Sequence, residues 1–548
     1  MSHNHALLLD VVAKAVPDRE AIVFRDRRVT YGQLRDRTHR FANALLEMGI
    51  RTPAPRSSLA NWESGHDHVA VYLYNGNEYL EATCGANLAR AVPFNVNYRY
   101  VEHELAYLLN DATPAVIVYH EAFAPTLAAV LPQLTRTPTL VQVADGSGHA
   151  LLAAAVDYQK LLAAASPEPP RTEPSPDDLY MLYTGGTTGM PKGTLWRQAD
   201  IYDAAIGAFA LTTGIDSSSL EAAAASAPAA TALRTMPIPP LMHGAAGWAA
   251  VGGLLAGATI VIQDEVTRLD PVDVLRTIQR EQVQTVLMVG DAFARPLCDE
   301  LEKGGYDVST VTVLVSGGAT LSPAMKERLL ALMPQAFVLD AGGASETGTQ
   351  MASFSTPGQT AALAVFTPTE STCVVDDLRQ HIVEPGHEEP GWLARHGTIP
   401  LGYLGDERKT AATFPVVEGT RMVIPGDRAR LRSDGLIELL GRESMTINSG
   451  GEKIFAEEVE QAIVRHPGVD DVLVVGRPSE KWGSEVVAVV QLHDGVTVED
   501  EELLAIASEQ VARYKLPKAI VRVAAVQRSP SGKADYAWAK RQVISDQG

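Results

Sequence analysis

The residues best suited to chemistry lie in segment 183–193, which reads YTGGTTGMPKG. Its glycines let the backbone approach a ligand closely, its hydroxyl and N–H groups donate hydrogen bonds, and Lys192 adds positive charge. Such a segment can surround a polyphosphate. It is not a Walker A loop, because Met190 and Pro191 precede the lysine and Gly193 follows it. The candidate nucleotide-binding residues here are Thr184, Gly185, Gly186, Thr187, Thr188, Gly189 and Lys192.

Six further segments are rich in small, acidic or basic residues. They are PLMHG at 240–244, SGGA at 316–319, DAGGASET at 340–347, PGD at 425–427, GRESMTINSGGEK at 441–453 and RSPSGK at 528–533. Small residues leave room for a flat base, and a carboxylate suits a hard cation or a pair of ribose hydroxyls. Each segment alone has an ordinary reading: His243 as a core or capping histidine, Asp427 as part of a turn, and Lys533 as an exposed lysine.

Together and in this order, the seven segments resemble those of the adenylate-forming synthetases. That family includes acyl-CoA synthetases, firefly luciferase and the adenylation domains of peptide synthetases. The resemblance covers nearly the whole chain, and the joint set is far more specific than YTGGTTGMPKG alone. There is one departure, because the family's hinge position often carries Asp or Lys and this chain has Ser444. A small residue can absorb the backbone change that a hinge needs.

The resemblance implies a role for each segment. Lys533 is the catalytic residue that neutralises charge on the carboxylate and the α-phosphate. Glu346 is the catalytic carboxylate that holds Mg²⁺, with Thr187 as the second metal candidate, and Thr347 would face the phosphates. The further ATP/AMP-binding candidates are Gly317, Gly318, Ala319, Asp340, Ala341, Gly342, Ser345, Thr347, Asp427 and Arg442. The acyl-pocket candidates are His243 and Gly318. The coenzyme A candidates are Ser449, Gly450, Gly451, Lys453 and Trp482.

The implied activity is that of an ATP-dependent acyl-CoA synthetase that uses ATP, Mg²⁺ and coenzyme A. A carboxylate is first activated as acyl-AMP with release of pyrophosphate, and the acyl group then passes to the thiol of coenzyme A. The SGGEK segment with Ser444 resembles bacterial fatty-acid and sterol-side-chain ligases. Three alternatives stay open: an acyl-AMP ligase that loads a separate carrier protein, an inactive nucleotide-binding protein, and a luciferase-like oxidation, which no specific residue supports. Each buried methylene contributes only about 0.8 kcal/mol, so pocket shape decides the acid.

Composition narrows the class of partner. The 548 residues carry a formal net charge of −20, with 46% hydrophobic and 20% charged residues. This balance argues against nucleic acid and against an anionic membrane surface, and no segment reaches transmembrane length. The three cysteines, Cys84, Cys298 and Cys373, form no CxxC pair, which fits a reducing cytoplasm. We expect a cytoplasmic enzyme with a small-molecule carboxylate as its partner; a homodimer is one assembly open to it.

The elements that must position these residues follow an alternating pattern. Short apolar runs predict strands at 69–74, 115–119, 259–262, 285–289, 311–315 and 337–339. Helical periodicity is present between them, at 271–282 and 323–332. Strand–helix alternation predicts an α/β fold with mostly parallel sheets, and ligands in such sheets bind beyond the carboxyl ends of the strands.

Two domains are expected. Residues 1–441 would form a large AMP-binding and acyl-substrate domain of several subdomains, and residues 442–548 a small, mobile α+β domain that carries the catalytic lysine. In the small domain, helices are expected from Glu457 and near 499–513, and strands at 472–475, 486–491 and 519–523. Segments 52–67 and 213–230 read as mobile surface loops.

Overall fold

The structure is a computed structural model that describes residues 4–186, 189–387, 389–442, 445–449, 452–479, 483–511, 513–529 and 532–545. The predicted site residues Thr187, Thr188, Gly450, Gly451 and Trp482, and the predicted hinge residue Ser444, lie outside the described residues. The α/β class is confirmed.

A five-stranded parallel sheet forms the first layer of the large part of the chain. Its strands, in spatial order, are Val92–Asn95, His68–Tyr72, Val116–His120, Thr139–Val143 and Val156–Asp157. The first four are almost completely buried, because helices cover the sheet. The helices of this first part of the chain are His5–Ala15, Tyr31–Glu47, Asn77–Leu88, Glu102–Ala112, Ala124–Val130 and Tyr158–Ala164.

A fifteen-stranded sheet forms the second layer, and it changes character along its width. One half is parallel except for its edge strand Arg27–Thr30, and runs in spatial order through Glu20–Phe24, Thr259–Ile262, Arg234–Pro237, Thr285–Met288, Val313–Gly317 and Phe337–Ala344. The other half is antiparallel. It contains Gly348–Ser355, Val365–Pro368, Ile437–Arg442, Asp427–Leu431, Gly391–His396, Thr372–Val375, Thr420–Val423 and Val416–Val417.

Two helices beside the parallel half follow residues of the types that commonly cap the start of a helix. Pro271–Glu281 follows Asp270, whose carboxylate accepts the N–H groups of Val272 and Asp273, and Pro323–Leu332 follows Ser322 in the same way. The other α-helices of the large part are Gln198–Ile201, Ala208–Thr213, Leu220–Ser226, Gly244–Leu255, Gly290–Leu301 and Glu407–Thr413. Segment 213–230 was expected to be a loop, but it contains the helix Leu220–Ser226, which Ser219 caps and which buries Ala223.

The last hundred residues build their own sheets. Thr446–Ser449 pairs with Glu452–Phe455, and a second sheet contains Val469–Ser479, Gly483–Leu492 and Ala519–Arg522. The α-helices are Ala456–Ile463, Asp500–Ser508 and Tyr536–Ser545. In the part of the chain that the structure describes, no helix is long and apolar enough to cross a membrane.

Candidate active site

The described residues of segment 183–193 lie in two antiparallel strands, which together are called the Lys192 hairpin. Leu179–Gly186 pairs antiparallel with Gly189–Arg197, and Thr184 lies opposite Lys192. The strands therefore run well into a segment whose glycines and threonines are typical of a loop. Gly193 is required by packing, because a Cβ there would lie 2.9 Å from the ring of Tyr183.

Lys192 is half-buried on this hairpin, and its neighbours are an aromatic ring and several charged side chains. Its Nζ lies 5.1 Å from the centre of the Tyr403 ring. Burial lowers the pKa of Lys192, the positive charge of Lys409 lowers it further, and the negative charge of Glu346 opposes both. The ammonium group is thus close to another cation, Lys409, and to two carboxylates, Glu346 and Asp406.

Glu346 lies in the turn that joins the strands Phe337–Ala344 and Gly348–Ser355. Its Oε1 accepts a 2.8 Å hydrogen bond from the Tyr403 hydroxyl. The turn itself is held at Ser345, whose carbonyl accepts from Trp196 Nε1 at 2.8 Å. It is also held by Arg395, which donates to the carbonyls on either side of Gly348, at 2.7 Å each.

Two residues in the strand and turn around Glu346 have partners other than those expected. Thr347 was expected to face phosphates, but it is fully buried, and its hydroxyl accepts from the Ala344 N–H and donates to the Gly348 carbonyl. Asp340 was expected to bind the nucleotide, but it forms a 2.9 Å ion pair with Lys326, whose side chain is 1% exposed. Both hold the fold in place because their polar atoms are already bonded within the protein.

The two glycine-rich strand ends lie side by side, as their spacing suggested. Gly317 pairs with Ala341 across the parallel sheet. A Cβ at Gly317 would lie 3.2 Å from the Ala341 carbonyl oxygen, and Gly318 has φ = +90°, a backbone conformation that glycine adopts without strain. The candidates Ala319 and Gly342 lie close to this pair along the chain. Small residues therefore occupy both strand ends, and segment 317–319 is called the glycine floor.

Asp427 and Arg442 face each other on adjacent antiparallel strands. Arg442 Nε donates to Asp427 Oδ1 at 3.0 Å. The charge of Asp427 raises the pKa of Arg442, and Glu346 contributes in the same direction. Asp427, the candidate for the ribose, and Arg442 therefore form one ion pair, and the charge of Glu346 also acts on Arg442.

His243 begins the helix Gly244–Leu255. Burial lowers its pKa to about 3, and the positive charges of Lys533 and Arg99 add to that effect. Its Nε2 is buried and has no hydrogen-bond partner among the described residues. The imidazole is therefore neutral near pH 7 and leaves one polar atom available to a bound group.

The loop that carries Lys533 rests on the large part of the chain. A Cβ at Gly532 would lie 3.2 Å from both the side chain and the carbonyl of Val289 and 3.3 Å from Ala292. Arg295 forms a 2.7 Å ion pair with Asp470 and donates to its carbonyl at 2.9 Å. These contacts join the last hundred residues to the helix Gly290–Leu301.

Lys533 is exposed as a residue, but its ammonium group loses part of its hydration to nearby protein atoms. This loss of hydration lowers the pKa of Lys533, the charge of Arg442 lowers it further, and Glu346 opposes both. The charge of Lys533 therefore acts on His243, and the charges of Arg442 and Glu346 act on Lys533. The structure brings residues from four distant segments to one place.

Two of the candidates for coenzyme A, Ser449 and Lys453, lie in a separate pair of antiparallel strands. Ser449 is buried at the end of Thr446–Ser449, opposite Glu452, and Lys453 lies in the partner strand Glu452–Phe455. Residues that no motif indicated are Tyr403, Arg395 and Asn95. The Asn95 amide donates to the carbonyls of Tyr183 and Met242 at 2.7 Å each, which ties the first hairpin strand to the segment before His243.

Comparison with known proteins agrees with this geometry. The model of the AMP-binding enzyme family matches residues 9–404, and that of the AMP-binding enzyme C-terminal domain matches residues 458–533. The chain belongs to the AMP-binding enzyme family. Its fold is similar to that of an anthranilate CoA ligase, AuaEII, with a TM-score of 0.83, 19% identity, and coverage of 100% of this chain and 98% of that one.

Two relatives are similar along their whole length. A medium-chain acyl-CoA ligase, Mig, from Mycobacterium avium is 53% identical over 97% of each chain. A 3-oxocholest-4-en-26-oate–CoA ligase from Rhodococcus rhodochrous is 40% identical over 99% of this chain and 96% of its own. The prediction of an AMP-forming acyl-CoA ligase is confirmed.

Proposed function

We propose that this enzyme activates a medium-chain carboxylic acid as acyl-AMP and transfers the acyl group to coenzyme A. The observation that carries the proposal is the convergence of Lys533, Arg442 and Glu346 beside the hairpin of Lys192. The choice of acid rests on the 53% identical relative, which is named as a medium-chain ligase. A sterol-side-chain acid is the second candidate, because relatives at 40% identity are named for one.

The first step must join two anions, a carboxylate and ATP. The carboxylate oxygen attacks the α-phosphorus, the bond from that phosphorus to the β-phosphate oxygen breaks, and pyrophosphate leaves. Catalysis of this kind depends on positioning and on charge stabilisation. We assign the β- and γ-phosphates to Lys192 with Thr187 and Thr188, and the charge developing at the α-phosphate to Lys533.

The remaining assignments follow from the same charges. Asp427 and Arg442 would hold the ribose side of the nucleotide, and the glycine floor at 317–319 would admit the adenine. His243, neutral near pH 7, would line the acyl pocket without repelling or pairing with the carboxylate. We place ATP and coenzyme A as substrates and the carboxylate as the only other small-molecule partner.

Mg²⁺ fits the residues present. Among the residues that the structure describes, no group of three or more His, Cys, Asp or Glu side chains surrounds a common point. Mg²⁺ bound with a nucleotide takes one or two carboxylates and fills its other positions with phosphate oxygens and water. Glu346 is such a carboxylate, with Thr187 as its proposed neighbour. When bound, the ion would neutralise charge on the phosphate oxygens.

The second step is proposed to use a different arrangement of two domains, residues 1–441 and 442–548. Rotation about 442–444 would withdraw Lys533 and bring in Ser449, Gly450, Gly451 and Lys453, with Trp482 beside the path of coenzyme A. The thiol sulfur then attacks the acyl carbonyl carbon, the carbon–oxygen bond to AMP breaks, and AMP leaves. The Arg295–Asp470 contact would open in this rotation. A cytoplasmic location and a homodimer stay predictions.

The decisive experiment separates the two steps. Lys533→Ala should lower pyrophosphate release from ATP and octanoate by about 100-fold or more, since one charge-stabilising donor is typically worth that much. Thioester formation from synthetic octanoyl-AMP and coenzyme A should stay close to that of the unaltered enzyme. Lys540→Ala, at an exposed lysine of the same domain, is the matched control and should change neither rate.

Three outcomes would count against the proposal. Equal loss of both steps in Lys533→Ala would remove the assigned role. Release of AMP that does not depend on free coenzyme A would favour loading of a carrier protein. A panel of octanoate, palmitate and a sterol-side-chain acid tests the substrate, and preference for the sterol acid would reverse the order of the two candidates.

A further inference from the structure

Tyr403 connects two parts of the proposed ATP site that no sequence motif links. It lies in the strand Gly402–Tyr403, which pairs with the Lys192 hairpin so that Tyr403 faces Thr194. Its hydroxyl donates to Glu346 Oε1 at 2.8 Å. Its ring lies beneath the Lys192 ammonium, 5.1 Å from centre to nitrogen. One side chain therefore contacts both the proposed metal carboxylate and the proposed phosphate lysine.

The position of Tyr403 is fixed by its surroundings. The residue is 5% exposed, and its N–H donates to Thr410 Oγ1 at 3.0 Å. The preceding Gly402 cannot be replaced without movement, because a Cβ there would lie 2.5 Å from Thr410 Cγ2. The ring also packs edge-on against Phe414 at 5.8 Å. A side chain held on so many sides can hold a neighbour in turn.

The Tyr403 hydroxyl is chemically suited to holding the Glu346 carboxylate in one orientation. Burial and the charge of Glu346 both raise the pKa of Tyr403, so the phenol stays protonated and remains a donor. A neutral donor orients a carboxylate without cancelling its charge, whereas a cationic partner would cancel it. Lys192 and Glu346 attract each other, and direct pairing would occupy both groups. The ring of Tyr403 lies against the Lys192 ammonium, and the π electrons of the ring attract this positive charge.

We propose that Tyr403 is a positioning residue that keeps Glu346 and Lys192 separately oriented, one toward the metal ion and the other toward the phosphates of ATP. The inference rests on the proposed function, since it assigns Glu346 to Mg²⁺ and Lys192 to phosphate. Tyr403 touches neither reacting atom, so its effect passes through those two residues.

Equilibrium binding of α,β-methylene ATP, which cannot be cleaved at the α-phosphate, tests this directly. Titration calorimetry gives the dissociation constant with Mg²⁺ and with a chelator, and the ratio is the gain in affinity that Mg²⁺ supplies. Tyr403→Phe keeps the ring and removes the hydroxyl. It should reduce this gain about tenfold, the usual size of a lost hydrogen bond to a charged group. Affinity for AMP, which lacks the β- and γ-phosphates, should be unchanged.

A second variant separates the ring from the hydroxyl. Tyr403→Leu removes both and should also weaken binding of the analogue in the presence of chelator, because Lys192 is then free to pair with Glu346. Tyr158→Phe is the matched control, since the Tyr158 hydroxyl donates to the Glu81 carboxylate at 3.1 Å, between the helices Tyr158–Ala164 and Asn77–Leu88. It removes a buried tyrosine–glutamate bond and should leave the Mg²⁺ gain intact.

The outcomes distinguish the inference from the function on which it rests. If Tyr403→Phe keeps the full Mg²⁺ gain while its melting temperature matches that of Tyr158→Phe, the positioning role is overturned. A loss of AMP affinity equal to the loss for the analogue would mean general damage and would also overturn it. If the unaltered enzyme shows no Mg²⁺ gain, the assignment of Glu346 fails first, and this inference fails with it.

Discussion

Asp340 lies in the strand Phe337–Ala344 and Glu346 in the turn that follows it, yet the two carboxylates have different partners. Asp340 pairs with the buried ammonium of Lys326 at 2.9 Å. Glu346 accepts a hydrogen bond from the neutral hydroxyl of Tyr403. Both were candidates for the same nucleotide site, and the identity of the partner separates them.

The difference shows how a fold can keep one negative charge and cancel another. A carboxylate paired with a buried cation has little net charge left for a ligand, and breaking that pair leaves an uncompensated charge in the interior. A carboxylate held by a hydroxyl is oriented but stays negative. Asp340 therefore serves the sheet, whereas Glu346 remains able to bind a cation. Each of the following changes should affect one of these roles and leave the other.

Lys326→Met should cause the largest loss of stability. It leaves Asp340 without its partner in a buried place, which we expect to cost about 3–5 kcal/mol of unfolding free energy. Burial already raises the pKa of Asp340, so in the variant the carboxyl group would take up a proton. Folding then binds a proton that the unfolded chain releases, and stability falls further as the pH rises. Thermal melting at pH 5 and pH 8 measures both effects.

The double variant Lys326→Met with Asp340→Asn is the control for that change. It removes both charges and should recover most of the lost stability. The folded fraction of either variant should still release pyrophosphate with nearly normal dependence on Mg²⁺. A large change in that dependence would show that Asp340 belongs to the binding site after all.

Glu346→Gln should have the opposite profile. The amide oxygen can still accept the hydrogen bond from Tyr403, so the melting temperature should move little. The missing charge should lower pyrophosphate release by about 100-fold, the size expected for removal of one preorganised charge-stabilising group. Rate measurements across a Mg²⁺ series, with melting curves on the same samples, test both halves of the expectation. An unchanged rate, or a strong loss of stability, would contradict the difference that we propose between Glu346 and Asp340.

The order of elements was largely readable from the sequence because it depends on local signals. Thr259–Ile262 and Pro323–Leu332 have the bounds that apolar runs and a Ser-Pro start predict. The helix Leu220–Ser226 was missed because its alanine-rich face buries only Ala223, which leaves no apolar period to read.

The chemical roles were harder to read because they depend on partners distant in the chain. Glu346 was identified by its motif, but Tyr403, 57 positions away, carries no signal of its own in LGYLGD. Asp340 stood beside the glycines of a motif and was taken as part of the site. Its partner Lys326 lies on a helix where a lysine ordinarily points to water, so no local pattern could show that the pair is buried.

A third carboxylate extends the comparison, since the neighbours of Glu457 include both the carboxylate of Asp427 and the guanidinium of Arg442. It lies at the start of the helix Ala456–Ile463, next to Gly441, where a Cβ would come within 3.0 Å of its Oε2. Burial, followed by the charge of Asp427, raises the pKa of Glu457 to about 7, and Arg442 opposes them. Glu460 adds a further acidic group on the same helix.

Glu457→Gln should therefore give an effect that is small at pH 5 and depends more on pH than the others. Between the ordinary pKa of a glutamate and about 7, the folded enzyme binds a proton at Glu457 that the unfolded chain releases. Stability from this residue is thus lost as the pH rises through that window, by at most about 1.4 kcal/mol per pH unit. The glutamine variant cannot titrate, so it should gain melting temperature relative to the unaltered enzyme at pH 8 but not at pH 5.

Glu458→Gln is the control on the same helix, because Glu458 pairs with Lys515 at 2.6 Å. It should lose a little stability at both pH values and gain none at pH 8. If the melting curves of Glu457→Gln and the unaltered enzyme stay parallel between pH 5 and pH 8, Glu457 is ionised in the folded enzyme. The site would then hold a third negative charge beside Asp427 and Glu346, and the orientation of Arg442 would have to be explained by all three.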